Sequence, residues 1–213
     1  MFYCPYVNIT NDPYRAMQMN SHIRILHAAP NAPAVDVYAN GNLIAGDITY
    51  KELTPYLAVP PGNYNIMVYP SGQTTNPVVN TTVSIPKNSK FTVAAIGTLP
   101  NISLQLIPEP ITAQNSGDAC VRFIHLSPNA PAVDIKSPDG KTVFSNVAYK
   151  NFTLYACIPP GTYTFNVTPT GTNNVVLTVP NVKVNANNLY SIYAVGLVWE
   201  SPPLEALIVP EPR

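Results

Sequence analysis

The chain has 213 residues, a size that allows one large domain or two of about 100 residues. Eleven Lys and Arg residues balance eleven Asp and Glu residues, so there is no basic surplus of the kind that binds nucleic acid. The 24 prolines exclude a long helical protein, and a hydrophobic content of 46% argues against a disordered chain. Two small all-β domains would fit this composition.

The first segment, residues 1–20, has no counterpart elsewhere in the chain. It mixes Tyr, Pro, Met and Asn with Cys4, and it lacks the basic start and apolar run of a secretory signal. We therefore expect synthesis in the cytoplasm without ordinary export, and an N-terminal arm that docks on a sheet edge or a neighbouring chain, with disorder as the alternative. No stretch approaches the roughly 20 apolar residues that span a bilayer, so no membrane insertion is expected.

Short runs of alternating apolar and polar residues follow the arm, separated by turn residues. This period of two predicts strands rather than helices. The predicted strands span residues 22–28, 34–39, 43–45, 54–59, 64–69, 78–85, 91–96 and 102–107. The hairpin dipeptide Asn40-Gly41 and the turn at Pro61-Gly62 agree with these boundaries.

A polar stretch at residues 110–118 is a predicted linker, and the pattern of the first copy then begins again. The second copy begins with Val121-Arg122-Phe123-Ile124-His125, which corresponds to Ile23-Arg24-Ile25-Leu26-His27. The segment Pro30-Asn31-Ala32-Pro33-Ala34-Val35-Asp36 recurs without change from Pro128 to Asp134. The two copies also end on similar segments, Ile107-Pro108-Glu109-Pro110 and Val209-Pro210-Glu211-Pro212. A repeat of roughly 100 residues has the size of one β-sandwich. We therefore predict an all-β protein of two tandem antiparallel β-sandwiches, immunoglobulin-like or transthyretin-like, at residues 21–109 and 119–213.

The element His-x-x-Pro-Asn-Ala-Pro-Ala-Val-Asp, with a later Tyr-Lys and a Pro-Pro-Gly-x-Tyr turn, resembles the bacterial family labelled domain of unknown function 4397. The likeness covers both copies, from about residue 23 to 108 and from about residue 121 to 210. It implies a small β-sandwich, often in tandem and often on surface or envelope proteins, with no settled activity. Because the chain shows no signal, the resemblance favours release by mother-cell lysis in a spore former, and thus a spore or cell surface.

The polar and proline residues of the repeated motif are the candidate site residues, and we assign them a structural role. They are Arg24, His27, Pro30, Asn31, Pro33 and Asp36 in the first copy, and Arg122, His125, Pro128, Asn129, Pro131 and Asp134 in the second. Strand alternation places His27 and Asp36 on opposite faces. We expect His27 to bond into the Pro30–Pro33 loop, and Asp36 to pair with Arg24 or with local backbone amides.

Catalysis needs a nucleophile, a base and an orienting group that converge, and a metal needs three or four ligands. Each copy offers two candidates on opposed faces, so we expect no enzyme activity, no cofactor and no metal. Lys51 and Lys150 are expected to be solvated rather than covalently linked to an asparagine or aspartate side chain. Three cysteines argue against a disulfide framework, and Cys120 and Cys157 are either neighbours on adjacent strands or idle thiols.

Two functions from different classes fit these expectations. The first is a structural or assembly protein of a bacterial surface layer, such as a spore coat or envelope, because low charge and exposed strand edges favour packing against other chains. Its partners would be other proteins or copies of itself. The second is a carbohydrate-binding module for wall or exopolymer glycan, in which some of the 13 tyrosines provide stacking faces. Multimers without glycan retention would favour the first, and a monomer with glycan retention the second.

Overall fold

The computed structural model describes residues 20–111 and 117–211, which form strands and turns. The prediction of an all-β protein is therefore confirmed. Within these two ranges no helix is long and apolar enough to cross a membrane. The predicted arm, including Cys4, lies outside the described residues except for Asn20, as does the centre of the predicted linker.

The first copy contains eight strands in two sheets. They are β1 (Ser21–His27), β2 (Val35–Ala39), β3 (Asn42–Ile48), β4 (Leu57–Val59), β5 (Gly62–Pro70), β6 (Val79–Ile85), β7 (Lys90–Ile96) and β8 (Ser103–Glu109). The sheet orders are β4-β1-β7-β8 and β3-β2-β5-β6. Strand β1 runs parallel to β7, and the other paired strands described in this copy are antiparallel.

The second copy repeats this topology. Its strands are β9 (Ala119–His125), β10 (Val133–Lys136), β11 (Thr142–Val147), β12 (Ala156–Ile158), β13 (Gly161–Pro169), β14 (Leu177–Val184), β15 (Leu189–Val195) and β16 (Glu205–Glu211). The sheet orders are β12-β9-β15-β16 and β11-β10-β13-β14, with β9 parallel to β15. The four sheets of four strands thus make two β-sandwiches.

The observed strands differ from the predicted ones mainly at β3 and β4. Strand β4 starts at Leu57 rather than residue 54, because Pro55 has no N–H and the Thr54 hydroxyl instead accepts the Ile25 N–H at 2.9 Å. Strand β3 continues to Ile48 through a bulge, where Asp47 takes a φ of 55°. Bulged residues of this kind are hard to recognise from alternation alone.

Each sandwich has its own apolar core between its two sheets. In the first copy the core includes Ile25, Val37 and Val68, and in the second it includes Phe123 and Phe165. These side chains come from alternate positions of paired strands, as the period of two requires.

A third core lies between the two sandwiches and was not predicted. It is formed by buried side chains of both copies: Leu26, Ala28, Ala94, Ile96 and Ile107 of the first, and Ile124, Leu126, Tyr193 and Val195 of the second. The sheets that contain β1 and β9 therefore pack face to face. Equivalent strands meet through equivalent faces, as in an isologous dimer joined into one chain.

Cys120 and Cys157 form a disulfide between β9 and the short edge strand β12. Their Cα atoms are 3.9 Å apart, and the two residues are directly opposed in register. The expectation of idle thiols is wrong for this pair, and the alternative of neighbours on adjacent strands is the one observed. The first copy carries His22 and Ala58 at the equivalent positions, so the covalent link belongs to the second sandwich alone among the described residues.

Candidate functional site

The repeated histidines lie at the ends of β1 and β9 and hold the proline loops that follow. His27 Nε2 is 3.0 Å from the Pro33 carbonyl oxygen, and His125 Nε2 is 3.0 Å from that of Pro131. The predicted bond from the histidine into its loop is present in both copies. Since a carbonyl can only accept, each Nε2 carries the proton.

The two histidines differ at their other ring nitrogen. His27 Nδ1 accepts the Ala29 N–H at 3.4 Å, whereas His125 Nδ1 is buried without a hydrogen-bond partner among the described residues. Burial lowers the pKa of His125, although its bond to the Pro131 carbonyl opposes the shift. Protonation of His125 would place a charge in a dry site, so the ring is held neutral.

The repeated aspartates hold two turns of the outer sheet. Asp36 accepts the Asp47 N–H at 2.8 Å and the Gly72 N–H at 2.9 Å, and Asp134 accepts the Asn146 N–H at 2.8 Å and the Gly171 N–H at 3.1 Å. In both copies these backbone hydrogen bonds lower the aspartate pKa, with the bond from Asp47 or Asn146 contributing most. Each carboxylate thus joins the bulge of one hairpin to the loop of the next.

The predicted ion pair between Arg24 and Asp36 is wrong, and the alternative of local backbone amides is the one observed. Arg24 lies on β1 and Asp36 on β2, and these strands belong to different sheets of the sandwich. The two side chains point away from the shared core in opposite directions, so no cross-strand pair can form. The same reasoning separates Arg122 from Asp134.

Arg24 instead forms a buried ion pair with Glu109, the last residue of β8. Arg24 Nη2 is 2.9 Å and Nε 3.0 Å from Glu109 Oε1, and the two side chains are 4% and 0% exposed. The hydroxyls of Thr92 and Tyr56 donate to the two oxygens of the same carboxylate. The Arg24 guanidinium also lies 4.8 Å from the centre of the Tyr56 ring.

The second copy repeats this cluster with one substitution. Arg122 Nη2 is 2.8 Å from Glu211 Oε1, Ser191 replaces the threonine, and the Tyr155 hydroxyl donates to Glu211 Oε2 at 2.6 Å. Burial raises the pKa of Tyr155 in this copy and, with its bond to Glu109, that of Tyr56 in the first. Both phenols therefore stay protonated and act as donors to the carboxylates.

The two clusters face each other across the third core and are linked there. Arg122 Nη1 donates to the Pro108 carbonyl of the first copy at 2.6 Å, and the Tyr193 hydroxyl lies 3.4 Å from Thr92 Oγ1. In both of these bonds the second copy supplies the donor and the first copy the acceptor. Arg24 Nη2 lies within ion-pair distance of Glu109 but is buried without a hydrogen-bond partner among the described residues.

The repeated lysines contribute to the same interface at its rim. Lys51 Nζ is 3.0 Å from Glu205 Oε1 of the second copy, and Lys150 Nζ is 3.4 Å from Ser103 Oγ of the first. The Lys51 side chain is 39% exposed, so it keeps contact with solvent while it forms this ion pair. Because Glu205 and Ser103 occupy equivalent strand positions, these contacts follow the same pseudo-two-fold arrangement as the core.

The motif asparagines bind the loops at the ends of the sandwiches. Asn31 Nδ2 donates to the Ser201 carbonyl of the other copy at 2.8 Å, and Asn129 accepts the Val198 N–H of its own copy at 2.8 Å. The loop prolines Pro30, Pro33, Pro128 and Pro131 flank these asparagines, and the carbonyls of Pro33 and Pro131 receive the histidine bonds. The motif therefore positions backbone in both copies.

The residues that sequence reasoning missed are the carboxylates and hydroxyls of the buried clusters. Glu109 and Glu211 lie in the repeated Pro-Glu-Pro segments, and Tyr56 and Tyr155 lie in the repeated Thr-x-Tyr segments. Their recurrence in both copies was the available signal. In the ranges 20–111 and 117–211, no three His, Cys, Asp or Glu side chains group as metal ligands.

Comparison with known proteins gives one family match. The family model described as domain of unknown function (DUF4397) matches residues 21–136 and 137–213. Two adjacent matches are consistent with two tandem copies. The matches meet just after β10, whereas the sheets divide between Glu109 and Ala119. No curated protein sequence matches the chain.

Three solved structures are similar to parts of the chain at low identity. The C-terminal domain of AlgF from P. aeruginosa is 22% identical over 45% of this chain and 100% of that chain, with a TM-score of 0.36. The Bacillus anthracis TIE protein is 12% identical, over 84% of this chain and 34% of that one, with a TM-score of 0.27. The family CBM26 module CBMbc of Eubacterium rectale Amy13K, solved in complex with maltoheptaose, is 11% identical over 90% of this chain and 96% of that one, with a TM-score of 0.28. At these TM-scores and identities none of the three supports a functional assignment.

Proposed function

This chain belongs to the family of domain of unknown function 4397, in two tandem copies, and from that premise we propose a non-catalytic structural or assembly role in a bacterial surface layer. A spore coat or an envelope is the location that fits the proposal. In this role the chain is a rigid block of two sandwiches that packs against copies of itself or other proteins.

The observation that carries the proposal is the third core with its two buried ion pairs. Nine apolar side chains and the clusters around Arg24 and Arg122 fix one sandwich against the other. Interfaces between domains in one chain are commonly polar and mobile, whereas a large apolar interface restricts the relative motion of the domains. A layer built of repeating units needs such a fixed geometry.

The second support is the surface that remains available for assembly. The sheet β3-β2-β5-β6 faces away from the interdomain core, and β3 and β6 lie at its edges. Strand β3 carries Leu43, whose side chain is 55% exposed. Only 10% of all residues are charged, so electrostatic repulsion between neighbouring copies is weak.

Self-association of the purified full chain tests the proposal. Sedimentation velocity over a wide concentration range should show growing multimers, and electron microscopy should show ordered assemblies. Leu43→Lys, which puts a charge on the edge strand β3, should reduce the multimers, while Gln73→Lys in an exposed loop adds the same charge as a matched control. Antibodies against the chain should label intact cells or spores of the producing bacterium. A monomer at every concentration, together with no surface labelling, would contradict the proposal.

Glycan binding is the second candidate, and one exposed aromatic side chain favours it. Trp199 is 86% exposed in the loop between β15 and β16, where its φ is 61°. An exposed indole is a flat face on which the apolar side of a sugar ring can stack. Retention of the full chain on insoluble wall or exopolymer glycan, abolished by Trp199→Ala and preserved by Leu154→Ala at another exposed position, would favour this candidate.

A further inference from the structure

The core of the first sandwich contains a cavity of about 240 Å³ between its two sheets. Its wall is almost entirely apolar and includes Ile25, Val37, Ile66, Val68, Val93 and Leu104. Protein cores are normally packed as densely as organic crystals, with few voids larger than a water molecule. A cavity of this size is therefore a feature that needs an explanation.

The second sandwich has the same topology, and the void described at the corresponding place is far smaller. The corresponding void, between Phe123, Phe144 and Phe165, is about 10 Å³. Strand register makes Phe123 and Phe165 equivalent to Ile25 and Ile66 of the first copy, which both line the cavity. Phe144 is equivalent to Ala45, which is not part of the cavity wall. At two positions of the cavity wall the second copy thus carries a larger aromatic side chain.

Three of the four polar side chains in the cavity wall, those of His27, Asn40 and Tyr64, form hydrogen bonds within the protein. His27 Nε2 is bonded to the Pro33 carbonyl, and the Tyr64 hydroxyl donates to the Pro60 carbonyl at 2.6 Å. Asn40 Oδ1 accepts the Asn65 N–H at 2.8 Å. No Lys, Arg, Asp or Glu side chain lines the cavity among the described residues. A charged ligand would lose its hydration without gaining a counter-ion.

One end of the cavity reaches the protein surface. The exposed residues Asn40 and Asn42 belong to the wall; Asn40 lies in the turn between β2 and β3, and Asn42 is the first residue of β3. Elsewhere in the wall, Ile25, Val68 and Ala95 are buried. A ligand can therefore enter beside the Asn40-Gly41 turn with its apolar part pointing toward the buried end.

We propose that the first sandwich binds a small uncharged apolar molecule between its sheets, while the second sandwich serves as its closed structural counterpart. An apolar cavity of about 150 Å³ is large enough to stay dry and hold benzene. The larger volume here fits a substituted ring or an alkyl chain of medium length. The inference is independent of the assembly role proposed above.

Toluene and 1-octanol are suitable probes for the full chain. Calorimetric titration and ligand-detected NMR should show saturable binding of both, and octanoate at neutral pH should bind at least tenfold more weakly than 1-octanol. The variant Ile25→Phe/Ile66→Phe gives two positions of the cavity wall the aromatic residues of the second copy, and it should lower the affinity at least tenfold. Ile25→Phe alone provides a second, milder closure if the double variant does not fold.

Phe165→Ile is the matched control, since it changes the equivalent position of the other sandwich and should leave the first site intact. Binding by the closed variants with unchanged affinity would overturn the proposal, as would a full chain that binds neither probe. A further outcome is binding by a variant without residues 1–19 but not by the full chain. That result would identify the chain's own N-terminal segment as the occupant, and it would also overturn the proposal.

Discussion

Replacement of Glu109 by leucine should destabilise the protein strongly, because it leaves Arg24 charged in a buried site. The two side chains are 0% and 4% exposed, and Arg24 Nη2 lies 2.9 Å from Glu109 Oε1. With an effective dielectric constant of about 20, Coulomb attraction at that distance is about 6 kcal/mol. Much of this is offset by the desolvation of both ions. Removal of one partner from such a pair typically costs about 3 to 5 kcal/mol, and we expect that range here.

The assay is urea unfolding of the full chain, followed by circular dichroism. Lys51→Gln is the control, because Lys51 and Glu205 form an ion pair whose side chains are 39% and 35% exposed, and its loss should cost less than about 1 kcal/mol. The double variant Arg24→Met/Glu109→Leu should recover most of the stability lost in the single variant, since neither charge is then buried. A loss below about 1 kcal/mol for Glu109→Leu, or no recovery in the double variant, would refute this reasoning.

Three further predictions concern the second copy. Gly196→Ala should lower the free energy of unfolding by several kcal/mol, because Gly196 has a φ of 87° and an added Cβ would lie 2.1 Å from the Pro203 oxygen. Gly171→Ala is the control in the same urea assay: Gly171 has a φ of 76° but open space around it, so the loss should be smaller. Asp134→Ala should cost about 1 to 2 kcal/mol at neutral pH. Because the pKa of Asp134 is lowered in the folded state, the stability difference between wild type and Asp134→Ala should be fully present above about pH 4 and should disappear as the pH falls through the folded-state pKa. The same stability difference at pH 7 and at pH 2 would contradict this prediction. The pKa of His125 is also lowered by burial, so thermal scans should show stability falling as the pH drops from about 7 to 5, and the fall should be smaller in His125→Gln.

The strands were predictable because apolar and polar residues alternate along most of them and turn residues follow each run. The alternation does not specify which strands pair with each other. The incorrect prediction of an ion pair between Arg24 and Asp36 follows from this. Strands β1 and β2 are adjacent in sequence but belong to different sheets, and β1 pairs in parallel with β7 instead. The true partner of Arg24 lies 85 residues away, at Glu109.

The interface between the two sandwiches was harder to predict from the sequence than the strands were. Strand β9 is buried at every position, as is β15, and both read as nearly continuous apolar runs rather than as alternating ones. Such runs are typical of strands covered on both faces. Tyr193, on β15, is fully buried against the first copy, and a tyrosine in an otherwise apolar run does not by itself reveal whether its neighbour is a loop, a sheet or another domain.

The cavity could not be inferred from one copy, because an apolar strand pattern is the same whether the core is filled or open. The exchange of Ile25 for Phe123 and Ile66 for Phe165 was visible in the sequence. Its consequence depends on how closely the two sheets approach each other, and that spacing is a property of the folded structure.

The central claim is that the third core makes one unit of the two sandwiches, and differential scanning calorimetry of the full chain tests it most directly. Two independent domains would give two transitions, or a calorimetric enthalpy about twice the van't Hoff enthalpy. The face-to-face core around Leu26, Ile124 and Tyr193 predicts a single transition in which the two enthalpies agree. Two separate transitions, or a single one with a ratio near two, would show that the sandwiches unfold independently and would contradict the account.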